Sequence, residues 1–158
     1  MVIMPKGRTA KFDKGNLANT DKGQPLFKTE DLIKALFDIE SVLEGCMCPF
    51  VLLDETARQC RLQTNNITPH LELNEISIGV RKLDLSESAR SMLKTMKPDA
   101  EWMETNISYM FGSIPVIIWI INKNFEILNH PDKIWFYTTE FRLPNPFDKY
   151  WNMRDLVR

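Results

Sequence analysis

Residues 114 to 121, Ile-Pro-Val-Ile-Ile-Trp-Ile-Ile, form an unbroken apolar run of eight residues rich in β-branched side chains. Such a run offers no polar face to water, so both of its sides have to be covered. β-Branched side chains pack better on a pleated strand than around a helix. The reading is a central strand, which demands neighbours at its edges and cover on its faces. The run is also under half the length of the roughly 20 residues a helix needs to cross a bilayer.

The rest of the chain supplies that cover. Thr29–Glu44 reads as a helix: Leu32, Ile33, Leu36, Phe37, Ile39, Val42 and Leu43 recur at helical spacing. Thr29 is placed to cap its start, with Glu30 and Asp31 in the first turn, and Gly45 to close its end. Phe50–Leu53 is a short buried strand after Pro49, followed by a short helix from about Glu55 to Leu62 and a polar loop over 63–70. Leu71, Leu73, Ile76, Ile78 and Val80 then alternate with Glu75, Ser77, Gly79 and Arg81. This pattern predicts a strand with one buried face and a break near Asn74.

Ser86 caps a helix lined by Ala89, Met92, Leu93 and Met96, and Pro98 stops it. Residues 102–111 fit neither period cleanly. After the central run, Asn122-Lys123-Asn124 reads as a hairpin turn into a strand at 125–128. Ile134–Phe141 reads as one further strand. Pro144-Asn145-Pro146 breaks the chain, and residues 147–157 suit a closing amphipathic helix. The expected architecture is α+β, a small mixed β-sheet flanked by helices.

Residues 1–26 differ from the rest. Lys6, Arg8, Lys11, Lys14 and Lys22 alternate with glycines and prolines, and no apolar period runs through them. Such a segment buries too little to offset its ordering entropy, so a flexible basic arm precedes a single domain over 27–158. The plain reading of the arm is a solvated tail. The sharper one is a docking arm for an acidic or nucleic-acid partner.

The whole chain is balanced, with 20 Lys and Arg against 21 Asp and Glu, so no global field draws it to nucleic acid or membrane. The three cysteines are too few and odd in number for a secreted disulfide framework. The first eleven residues have no apolar signal core. These features together lead to the expectation of a cytoplasmic protein (in a host's cytoplasm if the gene is viral) without a membrane span. Cys46, Cys48, Cys60 and His70 do not follow zinc-site spacing, and no Gly-x-Ser-x-Gly, phosphate-loop or dinucleotide motif is present.

The stretch Phe50–Arg81 carries the most chemistry. A buried strand runs into Asp54-Glu55-Thr56-Ala57, a helix carrying Arg61 follows, and a second strand reads Asn74-Glu75-Ile76-Ser77-Ile78-Gly79-Val80. Further on, Glu140-Phe141-Arg142-Leu143-Pro144-Asn145-Pro146 precedes Tyr150. In order and spacing these pieces resemble the nucleotidyltransferase fold, most closely its LicD/fukutin-like branch, over roughly 31–158. The resemblance implies Mg²⁺-dependent transfer of a nucleotidyl or phospho-group from an activated donor to a hydroxyl.

Two acids spaced by one residue on a strand share a face and can hold ions that bridge donor phosphates. The resemblance makes Glu75 the principal metal ligand and catalytic residue with Ser77 beside it. Glu140 is the third acid, in competition with Glu126 and Asp132. Asp54, Thr56, Arg61 and Arg81 become donor-binding residues.

The sequence departs from that pattern twice. Asp54 and Glu55 stand where the family has glycine and a small residue, and Ser77 stands where it has the second acid. Asp54 or Glu72 would have to replace the missing carboxylate. The rival expectation is therefore a catalytically degenerate member acting as a binding or assembly module for a nucleotide, nucleic acid or protein. A third is an unrelated assembly protein. Each residue also has a plain alternative: Glu75 a solvated carboxylate, Ser77 the polar side of an edge strand, Arg61 a surface ion-pair partner.

Overall fold

The computed structural model describes residues 26–121, 131–136 and 139–143. The expectations for the arm, for the turn and strand at 122–128 and for the helix at 147–157 fall outside these residues. The described residues form an α+β arrangement in chain order: α1 (Thr29–Gly45), β1 (Val51–Leu52), α2 (Asp54–Leu62), β2 (Ile76–Arg81), α3 (Glu87–Met96), β3 (Glu101–Trp102), β4 (Asn106–Phe111), β5 (Ile114–Ile121), β6 (Asp132–Phe136) and β7 (Thr139–Leu143). A 3₁₀ turn, Lys82–Asp84, links β2 to α3.

The apolar run is the centre of the main sheet. Its strand order is β1-β2-β5-β4-β3, with β5 parallel to β2 and antiparallel to β4. Pro115, which lacks an N–H, precedes the first β2 pair at Ile76↔Val116. Along β5, Ile114, Val116, Ile118 and Ile120 are buried, while Pro115, Ile117 and Trp119 are half-buried. Alternation puts Val116, Ile118 and Ile120 on the same face as Tyr109 of β4. Tyr109 donates from its hydroxyl to Asp38 of α1 at 3.3 Å, so α1 covers that face.

Helix α1 buries Leu32, Ala35, Leu36, Ile39, Val42 and Leu43. Each fully buried leucine or isoleucine there contributes about 1.5–3 kcal/mol. Its ends differ from the expectation. Lys28 is the N-cap and supplies no side-chain bond. The Thr29 hydroxyl instead accepts from the Leu71 N–H at 2.9 Å. At the other end Gly45 stays helical, and the left-handed residue is Met47, with φ of 56°. The Cys48 N–H returns to the Leu43 carbonyl at 2.9 Å, the long closing bond of a Schellman end. What Gly45 provides is room: a Cβ there would sit 2.7 Å from Cε of Met96.

Strand β2 also differs from expectation. It is covered on both faces rather than one, with only Arg81 reaching partial exposure. It is an interior strand, paired with β1 at Val51↔Gly79 and Leu52↔Ile78 and with β5 on its other side. Gly79 makes the β1 side close: a Cβ there would meet Leu53 at 2.9 Å and Ile121 at 3.1 Å. Leu71 and Leu73 are buried but lie outside any strand, held to the start of α1 through Thr29 and a Phe27 N–H to Leu73 carbonyl bond of 3.3 Å.

Residues 102–111 resolve into β3 and β4. The strand expected at 134–141 is instead an antiparallel hairpin whose last described pair, Phe136↔Thr139, leaves two residues between the strands. Period two runs through both arms, which hides the turn from the pattern. Phe141 stacks on Phe37 at 6.3 Å between ring centroids and meets Phe50 and Phe136 at 6.4 Å, so these aromatics tie the hairpin to α1 and the entry to β1. The helix read at Ser86 is borne out: its hydroxyl accepts from the Ala89 N–H at 3.1 Å. No described helix is long and apolar enough to cross a membrane.

Candidate site at the start of helix α2

β1 ends at Leu52, and α2 begins two residues later. The reversal is made at Asp54, whose φ of 50° lies in the left-handed region. That region costs most residues about 1–2 kcal/mol and costs glycine almost nothing. The position where the family resemblance places glycine is thus one whose backbone favours glycine, and this chain fills it with aspartate, one of the better-tolerated alternatives.

The turn is fastened to β2 by two bonds. The Leu53 N–H donates to the Ser77 carbonyl at 3.0 Å, and the Ser77 N–H donates to the Thr56 hydroxyl at 2.9 Å. Thr56 is buried and its hydroxyl is already an acceptor for the strand, so its place is in the wall of the corner. Ser77 is 4% exposed, and its hydroxyl donates to Oε2 of Glu75 at 3.1 Å.

Glu75 is solvent-exposed as a residue, yet protein packs around its carboxyl closely enough that desolvation raises the pKa above the usual carboxylate value. The Ser77 hydrogen bond acts the other way. The negative charge of Asp54 pushes the pKa further up. The acidic neighbour of this carboxyl is Asp54.

The structure therefore gathers Asp54, Thr56, Glu75 and Ser77 into one corner. The other predicted site residues lie elsewhere. Arg61, in the last turn of α2, pairs with Asp132 of β6, and that guanidinium holds Asp132 below its ordinary value. Arg81 is at the far end of β2, six residues and roughly 20 Å of strand from Glu75. It donates to Asp84 from Nε at 2.8 Å and Nη2 at 3.2 Å. Glu140 is exposed on β7, opposite Trp135. Among the described residues, no three His, Cys, Asp or Glu side chains lie close enough together to hold a metal ion. The combination of Glu75, Glu140 and another acid is not assembled there, nor is a set from Cys46, Cys48, Cys60 and His70.

Two features escaped the sequence reading. Asp84 as the partner of Arg81 follows an i,i+3 spacing visible in the sequence. Asp132 as the partner of Arg61 is 71 residues away and carries no local signal.

The donor set fits the family's metal chemistry poorly. The hydroxyl at the second ligand position is buried and turned toward Glu75, and a serine is a weak ligand for Mg²⁺ in any case. What remains is the pair Asp54 and Glu75. No protein-family model matches the chain, and no curated protein matches it in sequence.

Proposed function

We propose that this protein is a catalytically degenerate nucleotidyltransferase-like domain that acts as a binding or assembly module. The observation that carries this reading is the internal closure of Glu75 and Ser77. Where two-ion transfer chemistry needs a second carboxylate on β2, a buried hydroxyl stands instead and donates to Glu75. The positive charges assigned to donor phosphates, Arg61 and Arg81, are engaged with Asp132 and Asp84 and stand away from the corner. Two carboxylates close together at the corner disfavour a triphosphate.

The test is a thermal-shift and transfer screen of the full chain with nucleoside triphosphates and sugar nucleotides, with and without Mg²⁺ or Mn²⁺. No donor is consumed, and no nucleotide raises Tm in a metal-dependent way. Metal-dependent turnover that Glu75→Ala abolishes would overturn the proposal.

One observation favours a second reading, in which transfer activity survives. Asp54 lies close enough to raise the pKa of Glu75, so these two carboxylates could hold one Mg²⁺ together with donor phosphates. Such an ion would supply charge neutralisation on the phosphoryl oxygens. In that case the corner binds Mn²⁺ in the presence of nucleotide, and Asp54→Asn and Glu75→Gln each remove that binding by isothermal calorimetry.

A further inference from the structure

A second surface lies on the side of the sheet that carries α3, away from the Glu75 corner. Arg90, Lys94 and Lys97 occupy positions i, i+4 and i+7 of α3 and its first following residue, a spacing that puts them in one row. Each cation lies over an aromatic ring of β3 or β4. The Arg90 guanidinium is 5.8 Å and the Lys94 ammonium 4.9 Å from the Trp102 ring centroid. The Lys97 ammonium is 4.6 Å from Tyr109 and 5.9 Å from Phe111.

We propose that this row is a binding surface for single-stranded nucleic acid, with Lys94 and Arg90 taking phosphates and Trp102 taking a base. The partner follows from the chemistry. A strand of nucleic acid presents alternating anions and flat π-faces, and a basic row beside the partly accessible Trp102 ring offers a partner for each, while Tyr109 is buried and takes no part. Trp102 is half-buried, so part of its ring reaches solvent, and Lys94 is exposed.

The acids nearby define how strong the surface is. Asp38 holds Lys97 at 2.8 Å, so Lys97 is largely neutralised. Glu87 begins the same helix at the far end of the row. Glu101 precedes Trp102 on β3, where alternation sends its side chain to the opposite face. Two cations, Arg90 and Lys94, are therefore the effective phosphate contacts, which sets a modest, salt-sensitive affinity. Arg90 is anchored by its Nε, which donates to the Leu85 carbonyl at 3.0 Å, and presents its remaining N–H groups to a phosphate. In the bound state a phosphate draws the exposed Lys94 off the ring, and a base replaces it over Trp102.

The proposal is independent of the Glu75 corner, so Asp54 and Glu75 variants leave it unchanged. It is tested by fluorescence anisotropy of the full chain with labelled oligo-dT and oligo-U of about 15 nucleotides, long enough for one such site. With two phosphate contacts, affinity falls about sevenfold between 50 and 200 mM salt. Lys94→Glu weakens binding by about tenfold. Trp102→Ala weakens it by about tenfold, whereas Trp102→Phe, which keeps a ring, retains most of it. Circular dichroism melts confirm that Lys94→Glu, a change at an exposed side chain, leaves the fold intact.

Absence of binding at 50 mM salt overturns the proposal. So does binding that both Lys94→Glu and Trp102→Ala leave at the wild-type level, because the affinity would then belong to another part of the chain.

Discussion

The two ends of β2 handle charge in opposite ways. At the C-terminal end, Arg81 and Asp84 form a two-point ion pair across one turn, with both side chains about four-fifths buried. Each charge has its counterpart within three residues. At the N-terminal end, Glu75 meets another acid, Asp54, and its carboxylate accepts from the Ser77 hydroxyl. The first end is electrostatically complete and has no capacity left for a ligand. The second holds like charges together at a turn whose Asp54 backbone lies in the left-handed region. In this chain, then, the arginine that the family resemblance would recruit is held by Asp84, and the two carboxylates stand close to each other.

The contrast breaks most sharply at Thr56. Thr56→Val keeps the shape but removes the acceptor of the buried Ser77 N–H, and an orphaned buried donor costs about 1–3 kcal/mol. Thr56→Ser restores the hydroxyl and recovers most of the loss. Urea unfolding of both variants reads this directly, and a Thr56→Val midpoint equal to wild type would show that the turn is not held through Thr56.

Next comes the turn itself. Asp54→Gly relieves the left-handed backbone and removes the charge facing Glu75, so stability rises by about 0.5–1 kcal/mol. Asp54→Asn isolates the charge, since asparagine also tolerates that region. If the asparagine variant gains as much as the glycine variant, repulsion rather than backbone strain dominates the corner.

The charge difference also predicts a pH dependence. Glu75 has a folded-state pKa raised above 4.5, so the native state binds the proton more tightly than the unfolded chain. Its contribution is therefore fully present below the unfolded pKa and is lost as pH rises through the folded one. In Asp54→Asn the fall is shallower, as measured by stability from pH 4 upward. The buried thiols add a second decline: Cys48 and Cys60 are pushed up to about 12 by burial, so stability falls again above pH 9, where unfolded thiols ionise.

The completed end tests the contrast from the other side. Asp84→Asn weakens a two-point pair that is about four-fifths buried and costs about 1–3 kcal/mol by urea unfolding, only part of which added salt removes. A cost that salt leaves unchanged would mean that hydrogen-bond geometry, not charge, holds Arg81.

Much of the frame was legible from the sequence. The run at Ile114–Ile121 could only be an interior strand, because eight apolar residues leave no face for water. The stripe of α1 and the Ser86 cap are local periodicities, visible without neighbours. The closeness of Glu75 and Ser77 also follows from their spacing, and a 3.1 Å bond joins them, although Glu75 lies in a bend one residue before β2 rather than on the strand. What escaped the pattern depended on distant chain. Thr29 turned from capping its own helix to holding Leu71, 42 residues away. β2 became interior because β1 and β5 flank it, although its alternation suggested one solvent face. Arg61 was claimed by Asp132.

Sequence by itself determined the elements with a strong local period, the α1 stripe, the Ser86-capped helix and the central strand, since these depend on side-chain spacing along a few residues. Only the tertiary structure decided which charges are neutralised and which confront each other. Coulomb energy depends on separation through space and on the surrounding dielectric, and residues far apart in the chain set both. Asp54 facing Glu75, and Asp132 taking Arg61, are the two places where that decision shaped the candidate site.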